Sequence, residues 1–176
     1  LREAMPEEAV RRALREMRPV EELVLVAIGK AAWRMAKAAC DELGERIACG
    51  AVITKYGHSE GPIANLSIYE AGHPILDENG LEAAKAALEL TKRESEGRAV
   101  LFLVSGGGSA LFESLLPGVT LEYMRGLNGR LLACGADIQE INTIRKLFSS
   151  VKGGRFARHC APSKIYQIAL SDVLGD

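Results

Sequence analysis

A run of three glycines flanked by serines is the strongest chemical signal in the sequence. Ser105, Gly106, Gly107, Gly108 and Ser109 follow an apolar, strand-like segment and precede a predicted helix. Consecutive glycines accept positive φ and let several backbone N–H groups approach an anion. The run has neither the Gly-Lys-Ser/Thr of a Walker A loop nor the spacing of a dinucleotide-binding GxGxxG loop. We therefore interpret it as a phosphate-binding loop, with an ordinary tight turn as the alternative.

Three cationic side chains and one amide stand at positions from which they could bind an anion. Lys30 opens a predicted helix directly after an apolar run, so its ammonium can neutralise charge on a transferring phosphoryl group. Asn142 and Arg145 share one face of another predicted helix, and Lys152 precedes two glycines. We expect Asn142, Arg145 and Lys152 to bind an anionic substrate. A solvated basic surface is the alternative for each cation.

A carboxylate follows the last predicted strand. Asp172 comes directly after the strand-like run 165–170. A carboxylate at the end of a strand can hold Mg²⁺ against nucleotide phosphates or act as a base toward a substrate hydroxyl. We therefore name Asp172 as a candidate catalytic residue and metal ligand, with the capping of a following helix as the alternative.

Several classes of function are excluded by composition and spacing. The chain has 22 Lys and Arg against 23 Asp and Glu, which argues against a nucleic-acid or membrane-surface partner, because those partners select for a basic excess. The 4 cysteines contain no C-x-x-C pair and are expected to be reduced thiols of a cytoplasmic protein. His58 and His73 stand in turn-rich segments without metal-ligand spacing, so no zinc site is predicted.

Helices and strands must alternate to position these residues. Apolar periodicity predicts an amphipathic first helix over 6–17 and a buried strand over 23–28. The alternation continues with strands near 51–54, 66–70, 98–104 and 165–170 and helices near 30–43, 78–94, 110–115, 121–134, 137–148 and 154–159. Such alternation predicts an α/β fold: a three-layer α/β/α, Rossmann-like domain with a mostly parallel sheet. Ligands bind at the carboxyl ends of the strands in such sheets.

Seven motifs, in order along the chain, resemble those of the type II glycerate kinases. They are Gly29-Lys30-Ala31-Ala32, Thr54-Lys55-Tyr56-Gly57, Ala71-Gly72-His73-Pro74, the glycine run with Ala110 and Leu111, Asn142-Thr143-Ile144-Arg145-Lys146, Ser150-Val151-Lys152-Gly153-Gly154 and Ser171-Asp172-Val173-Leu174-Gly175-Asp176. The resemblance covers nearly the whole chain. It implies transfer of the γ-phosphoryl of ATP to the 2-hydroxyl of D-glycerate, with Mg²⁺ or another divalent cation.

The resemblance also assigns roles to the candidate residues. It implies that Lys30 is the catalytic lysine, that the glycine run contacts the nucleotide phosphates, and that Asp172 binds metal or orients substrate. Arg145 and Lys152 would complete the anion pocket beside Asn142. The expected partners are D-glycerate and ATP, without nucleic acid or membrane, and a homodimer is left open.

The domain organisation and two rival functions complete these expectations. The family has a second, C-terminal domain of the MOFRL type to which nothing in 1–176 corresponds, so we expect 1–176 to be a single, incomplete N-terminal domain that is inactive alone. A hydroxypyruvate reductase is one rival, but no GxGxxG motif with a following acidic residue is present. A non-catalytic phosphate- or phosphosugar-binding α/β module is the other.

Overall fold

A five-stranded parallel sheet forms the centre of the computed structural model, which describes residues 5–170. The strands are β1 (Leu23–Ile28), β2 (Ile47–Lys55), β3 (Leu66–Ala71), β4 (Ala99–Val104) and β5 (Ile165–Ala169). Their order is β3-β2-β1-β4-β5, and every neighbouring pair is parallel. The predicted α/β fold is confirmed, with an all-parallel sheet where a mostly parallel one was expected.

The helices of the described residues cover both faces of this sheet. They are α1 (Pro6–Met17), α2 (Ala32–Leu43), α3 (Glu78–Glu94), α4 (Gly108–Leu111), α5 (Leu121–Ala133), α6 (Ile138–Leu147) and α7 (Arg155–Cys160), with a 3-10 turn at Gly44–Arg46. The bounds of α1, β1 and α3 agree with the periodicity of the sequence. No helix within residues 5–170 is long and apolar enough to cross a membrane.

The apolar run of β1 explains the three layers. All six of its residues are buried, and alternate side chains of a strand point to opposite faces. Leu25 therefore packs in one core with residues of α1 and α2, whereas Val26 packs in a second core with residues of α3 and α7. A strand that is buried on both faces needs no polar alternation, as expected for a parallel sheet.

One predicted helix is much shorter than expected. The segment 110–115 contributes only to α4, a single turn that ends at Leu111, because Phe112 adopts an extended conformation with φ −117° and ψ 92°. Leu115 then pairs with Ser149 in an isolated antiparallel bridge. The apolar side chains in 110–115 indicated a helix, but tertiary contacts hold part of this segment in an extended form.

The strand order fixes where a ligand can enter. The chain runs outward from β1 to β3 and then returns to the other side of β1 with β4 and β5. The order reverses between β1 and β4, so a crevice opens outside the carboxyl ends of these two strands. The loops that follow β1 and β4 are those that contain Lys30 and the glycine run.

Candidate functional site

The loops after β1 and β4 are locked together by hydrogen bonds. The Ser105 N–H donates to the Ile28 carbonyl at 2.9 Å, and the Lys30 N–H donates to the Gly106 carbonyl at 2.9 Å. The Ser105 hydroxyl accepts from the Ala31 N–H at 3.0 Å and donates to the Ile28 carbonyl at 3.3 Å. This hydroxyl therefore shapes the crevice from inside the protein.

One glycine makes this close approach of backbones possible, and a second leaves room for neighbouring side chains. Gly29 has φ +113°, and a Cβ there would lie 2.3 Å from the Ser105 Oγ and 2.5 Å from the Ser105 carbonyl oxygen. Gly107 has φ +83°, and a Cβ there would lie 2.7 Å from the His73 Nε2. A Cβ at Gly29 would force the two loop backbones apart, whereas a Cβ at Gly107 would meet only the side chains of His73 and Lys30. An L residue would be strained at either φ value.

Basic side chains that follow β1, β2 and β3 lie near one another beside the glycine run. Lys30 follows β1 and is exposed, and its Cε lies 3.3 Å from the position of a Gly107 Cβ. His58 follows β2 and donates from Nδ1 to the Lys30 carbonyl at 3.0 Å. Burial lowers the pKa of His73, and the nearby charges of Lys30, Lys55 and His58 lower it further. We call the basic side chains Lys30, Lys55, His58 and His73 the cationic cluster, in which the two lysines are cations and the lowered pKa of His73 favours its neutral form.

The histidines of this cluster had no assigned role in the sequence prediction. A lone histidine in a turn gives no metal-ligand pattern, so neither His58 nor His73 was named as a site residue. The rule that ligands bind at the carboxyl ends of strands did point to Thr54-Lys55 and Gly72-His73, as it did to Lys30. His58 lies three residues after the end of β2, so the loop positions to search extend beyond the first residues after a strand.

A second recess of about 290 Å³ lies beside the glycine run, on the β4 side. Its polar lining includes three residues that the sequence predicted to bind anions, namely Ser109, Asn142 and Lys152, and a further cation, Lys146. We call this recess the lysine cavity. The glycine run thus lies between the lysine cavity and the cationic cluster.

Aromatic rings form the floor of the lysine cavity. Phe102, Phe112 and Phe156 line it. The Phe156 ring centroid lies 4.7 Å from that of Phe102 and 5.3 Å from that of Phe112, the latter pair edge to face. Packed rings exclude water from beneath the polar residues and strengthen the electrostatic interactions made above them.

Lys152 enters this apolar setting with a buried partner. Its ammonium forms a salt bridge with the Glu113 carboxylate, with 12% of the lysine side chain and 0% of the glutamate side chain exposed. Burial lowers the pKa of Lys152, Glu113 opposes that shift, and Arg145 adds to it. Glu113 was absent from the sequence prediction because no motif distinguishes it from a surface glutamate.

Arg145 binds the end of the glycine run and is not among the residues that line the lysine cavity. Its Nη2 donates to the Ser109 carbonyl at 3.2 Å. Its Nε is buried and has no hydrogen-bond partner among residues 5–170. Arg145 is therefore near the predicted anion pocket, with its contact on the loop backbone.

The predicted metal ligand lies outside the part of the chain that the structure describes. Asp172 belongs to the segment 171–176. Residues 5–170 contain no group of three His, Cys, Asp or Glu side chains that could hold a metal ion. The groups that these residues present around the crevice are cations and backbone N–H donors, which suit an anion.

These features define the class of protein. A parallel sheet with a switch point, glycines that allow close backbone approach and converging cations are typical of α/β domains that bind anionic ligands. The chain belongs to the family described as "Domain of unknown function (DUF4147)", whose model matches residues 1–176.

Relatives with functional names cover most of this chain. A "D-glycerate 2-kinase" of Thermotoga maritima is 54% identical over 171 residues, which is 97% of this chain and 41% of the relative. A "Putative hydroxypyruvate reductase" of Agrobacterium vitis is 40% identical over 159 residues, which is 90% of this chain and 36% of the relative. The chain therefore spans about two fifths of the length of these relatives.

A solved structure has the same fold. The crystal structure of a glycerate kinase from Thermotoga maritima superposes with a TM-score of 0.94 at 53% identity, covering 99% of this chain and 42% of that chain. The relation to glycerate kinases that the ordered motifs predicted is confirmed.

Proposed function

We propose that residues 1–176 form one domain of a glycerate 2-kinase, which transfers the γ-phosphoryl of ATP to the 2-hydroxyl of D-glycerate. The relative of this name at 54% identity supports the proposal. In this proposal residues 1–176 are the N-terminal α/β unit, and turnover requires the whole protein. Localisation in the cytoplasm and homodimerisation stay predictions.

The observation that carries the proposal is the interlocked pair of loops at the switch point. The hydrogen bond from the Lys30 N–H to the Gly106 carbonyl fixes the lysine backbone beside the glycine run. Phosphoryl transfer depends on positioning and on neutralisation of charge more than on a covalent nucleophile. Lys30, preorganised beside Gly107, can stabilise the charge that develops on the transferred group.

The remaining residues divide into two groups on either side of the reacting phosphoryl group. The backbone of Ser105–Ser109 contacts the nucleotide phosphates. Asn142 and Lys152 bind the hydroxyl and carboxylate groups of D-glycerate in the lysine cavity, while Arg145 holds the loop between the two sites. Mg²⁺ or another divalent cation enters with ATP as part of the substrate, and Asp172 is its proposed protein ligand.

The test is glycerate-dependent release of ADP by the full-length protein and its Lys30→Met variant. We expect the variant to lose about 100-fold or more in kcat, since one electrostatic contact to the transition state is removed, while its affinity for ATP changes little. Lys85→Met is the matched control, because Lys85 is exposed on α3, and it should retain full activity.

Three outcomes would contradict the proposal. A wild-type protein that releases no glycerate-dependent ADP would exclude the kinase. A fully active Lys30→Met variant would exclude the role of the lysine. A Lys30→Met variant that loses only affinity for the nucleotide would favour a phosphate-binding module without catalysis.

Hydroxypyruvate reduction is a second candidate because a relative at 40% identity carries that name. The turn between β1 and α2 is Gly29-Lys30-Ala31-Ala32, which lacks the glycine spacing of a dinucleotide-binding loop. We therefore expect no oxidation of NADH or NADPH by hydroxypyruvate in the presence of the protein. Turnover in that assay, followed by the absorbance of the reduced nicotinamide, would reverse the order of the two candidates.

A further inference from the structure

Glu113 is a buried carboxylate with two hydrogen-bond donors among the described residues. Among the described residues it is the one charged side chain that is buried, and its exposure is 0%. Its Oε1 accepts from the Ser114 N–H at 3.1 Å, and its Oε2 accepts from the Lys152 ammonium. A buried carboxylate is strongly destabilising unless it is paired, so Glu113 depends on Lys152.

The Lys152 ammonium also has N–H donors that the described residues leave available on the side of the lysine cavity. An ammonium has three N–H donors, and within residues 5–170 the Lys152 Nζ has one hydrogen-bond acceptor, the Glu113 carboxylate. Lys152 lines the cavity together with Ser109, Asn142 and Lys146. The remaining donors can therefore meet a ligand that enters the cavity.

Hydrogen bonds hold together the two segments that carry Glu113 and Lys152. The Ser150 N–H donates to the Ser114 carbonyl at 2.6 Å, which ties the segments that carry Glu113 and Lys152. The Ser149 hydroxyl accepts from the Val151 N–H at 3.2 Å and from the Lys152 N–H at 3.1 Å. The backbone on both sides of the salt bridge is fixed before any ligand binds.

We propose that Glu113 is a positioning residue: it fixes the Lys152 ammonium at the wall of the lysine cavity and keeps it protonated there for the carboxylate of the acceptor substrate. The proposal rests on the proposed kinase function and deepens it. Glu113 neutralises Lys152 in the absence of substrate, while Lys146 and Arg145 add positive charge nearby. The cavity therefore attracts an anion without leaving a lone buried cation.

The charges around Lys152 explain why the glutamate is needed. Burial and Arg145 both favour the neutral amine, and Glu113 is the group that opposes them by raising the pKa of Lys152. A neutral amine would not form a charge-assisted hydrogen bond with a carboxylate. Removal of the Glu113 charge therefore lowers the pKa of Lys152 further and weakens substrate binding from the alkaline side.

The experiment measures steady-state kinetics of the full-length protein and of Glu113→Gln from about pH 6 to about pH 10, a range that brackets the titration of a lysine with a lowered pKa. We expect Glu113→Gln to raise the KM for D-glycerate about 10-fold or more near neutral pH, the loss of one hydrogen bond to a charged group. The KM for ATP should stay within about twofold, the alkaline limb of kcat/KM for D-glycerate should move to lower pH, and Glu113→Asp should restore part of the affinity.

Two further variants separate positioning from folding. Glu122→Gln is the matched control, because Glu122 is exposed on α5, and it should leave both KM values unchanged. If Glu113→Gln does not fold, Glu113→Met/Lys152→Met replaces the buried pair with apolar side chains, an exchange that stability often tolerates. We expect this double variant to fold, to bind ATP and to require about 10-fold or more D-glycerate.

The outcomes distinguish this inference from the function on which it rests. Absence of glycerate-dependent ADP release by the wild-type protein would overturn both. An active wild-type protein whose Glu113→Gln variant keeps its KM for D-glycerate and its pH profile would overturn the positioning role alone. So would a loss of thermal stability with equal rises in both KM values that Glu113→Asp does not reverse, because that pattern describes a structural pair.

Discussion

The two sides of the glycine run hold charged side chains in opposite physical settings. The cationic cluster is assembled from exposed or half-buried side chains at the ends of β1, β2 and β3, whereas Lys152 in the lysine cavity is 12% exposed above packed aromatic rings. Exposed charges are screened by water and salt, while a buried charge needs a fixed partner. The cluster therefore needs no buried carboxylate, and the cavity has Glu113.

The two settings suit different kinds of ligand. An open cluster of cations can accept a large anion and release it, since its charges are solvated before and after binding. A recess of about 290 Å³ with an apolar floor suits a small molecule whose polar groups meet fixed partners. This contrast supports the proposed placement of the nucleotide phosphates and the small hydroxy acid on opposite sides of the loop.

Truncation of a ring in the aromatic floor of the lysine cavity should have the largest effect on stability. Phe156 is 4% exposed and touches two other rings, so Phe156→Ala should cost about 3–5 kcal/mol of unfolding free energy. The measurement is urea denaturation followed by circular dichroism. Leu132→Ala is the control, because Leu132 is 67% exposed on α5, and its loss should cost less than about 0.5 kcal/mol. Equal midpoints for the two variants would contradict a packed floor.

The contact between the loops that follow β1 and β4 should be nearly as important for stability. In Gly29→Ala a Cβ would fall 2.5 Å from the Ser105 carbonyl oxygen at a φ of +113°, so the β1 and β4 loops must separate. We expect a loss of about 3 kcal/mol or more in unfolding free energy, from strain and from the broken interlock.

Gly57→Ala is the matched control for Gly29→Ala. Gly57 has φ +74°, and a Cβ at that position would meet nothing within 4 Å among the described residues. Its substitution therefore tests the strain of a positive φ without any clash, and the cost should be about 1 kcal/mol. A Gly29→Ala variant no less stable than Gly57→Ala would show that the loops are not locked.

The sheet and its helices were largely predictable from the sequence, because local patterns determine them. The run Leu23–Ile28 is apolar on both faces, and the face of apolar residues in 78–94 has helical spacing; both elements were predicted with the bounds observed. The strand order was not predictable, because it depends on which helix packs on which face. The helix predicted over 110–115 was wrong in its length for a similar reason, since Leu115 pairs with Ser149, far away in sequence.

Chain position in the sequence points to one part of the candidate site, and burial, which the sequence does not show, points to the rest. Lys30 and the glycine run follow strand ends, and Asn142 and Lys152 do meet in one cavity. Glu113 was invisible because only packing distinguishes it from the other glutamates. The placement of Asp172 stays a prediction, since it lies beyond the described residues.

His73 offers the smallest and most selective test of the exposed side. Burial and then the charges of Lys30, Lys55 and His58 lower its pKa in the folded protein below the ordinary value of a histidine. The unfolded chain therefore binds a proton at higher pH than the folded one. The stabilising contribution of His73 is present above the unfolded pKa and is lost as the pH falls through the folded pKa.

We expect His73→Asn to flatten this part of the acid-side loss of stability between about pH 7.5 and about pH 5, the range over which a histidine titrates. Urea unfolding at each pH measures it. His159→Asn is the control, since His159 lies on α7, away from the cluster, where its Nε2 bonds to the Leu88 carbonyl at 2.9 Å. If His73→Asn and the wild-type protein lose stability in parallel as the pH falls, the cluster does not repel a proton at His73. The environments of the cluster and of Lys152 would then differ in burial alone.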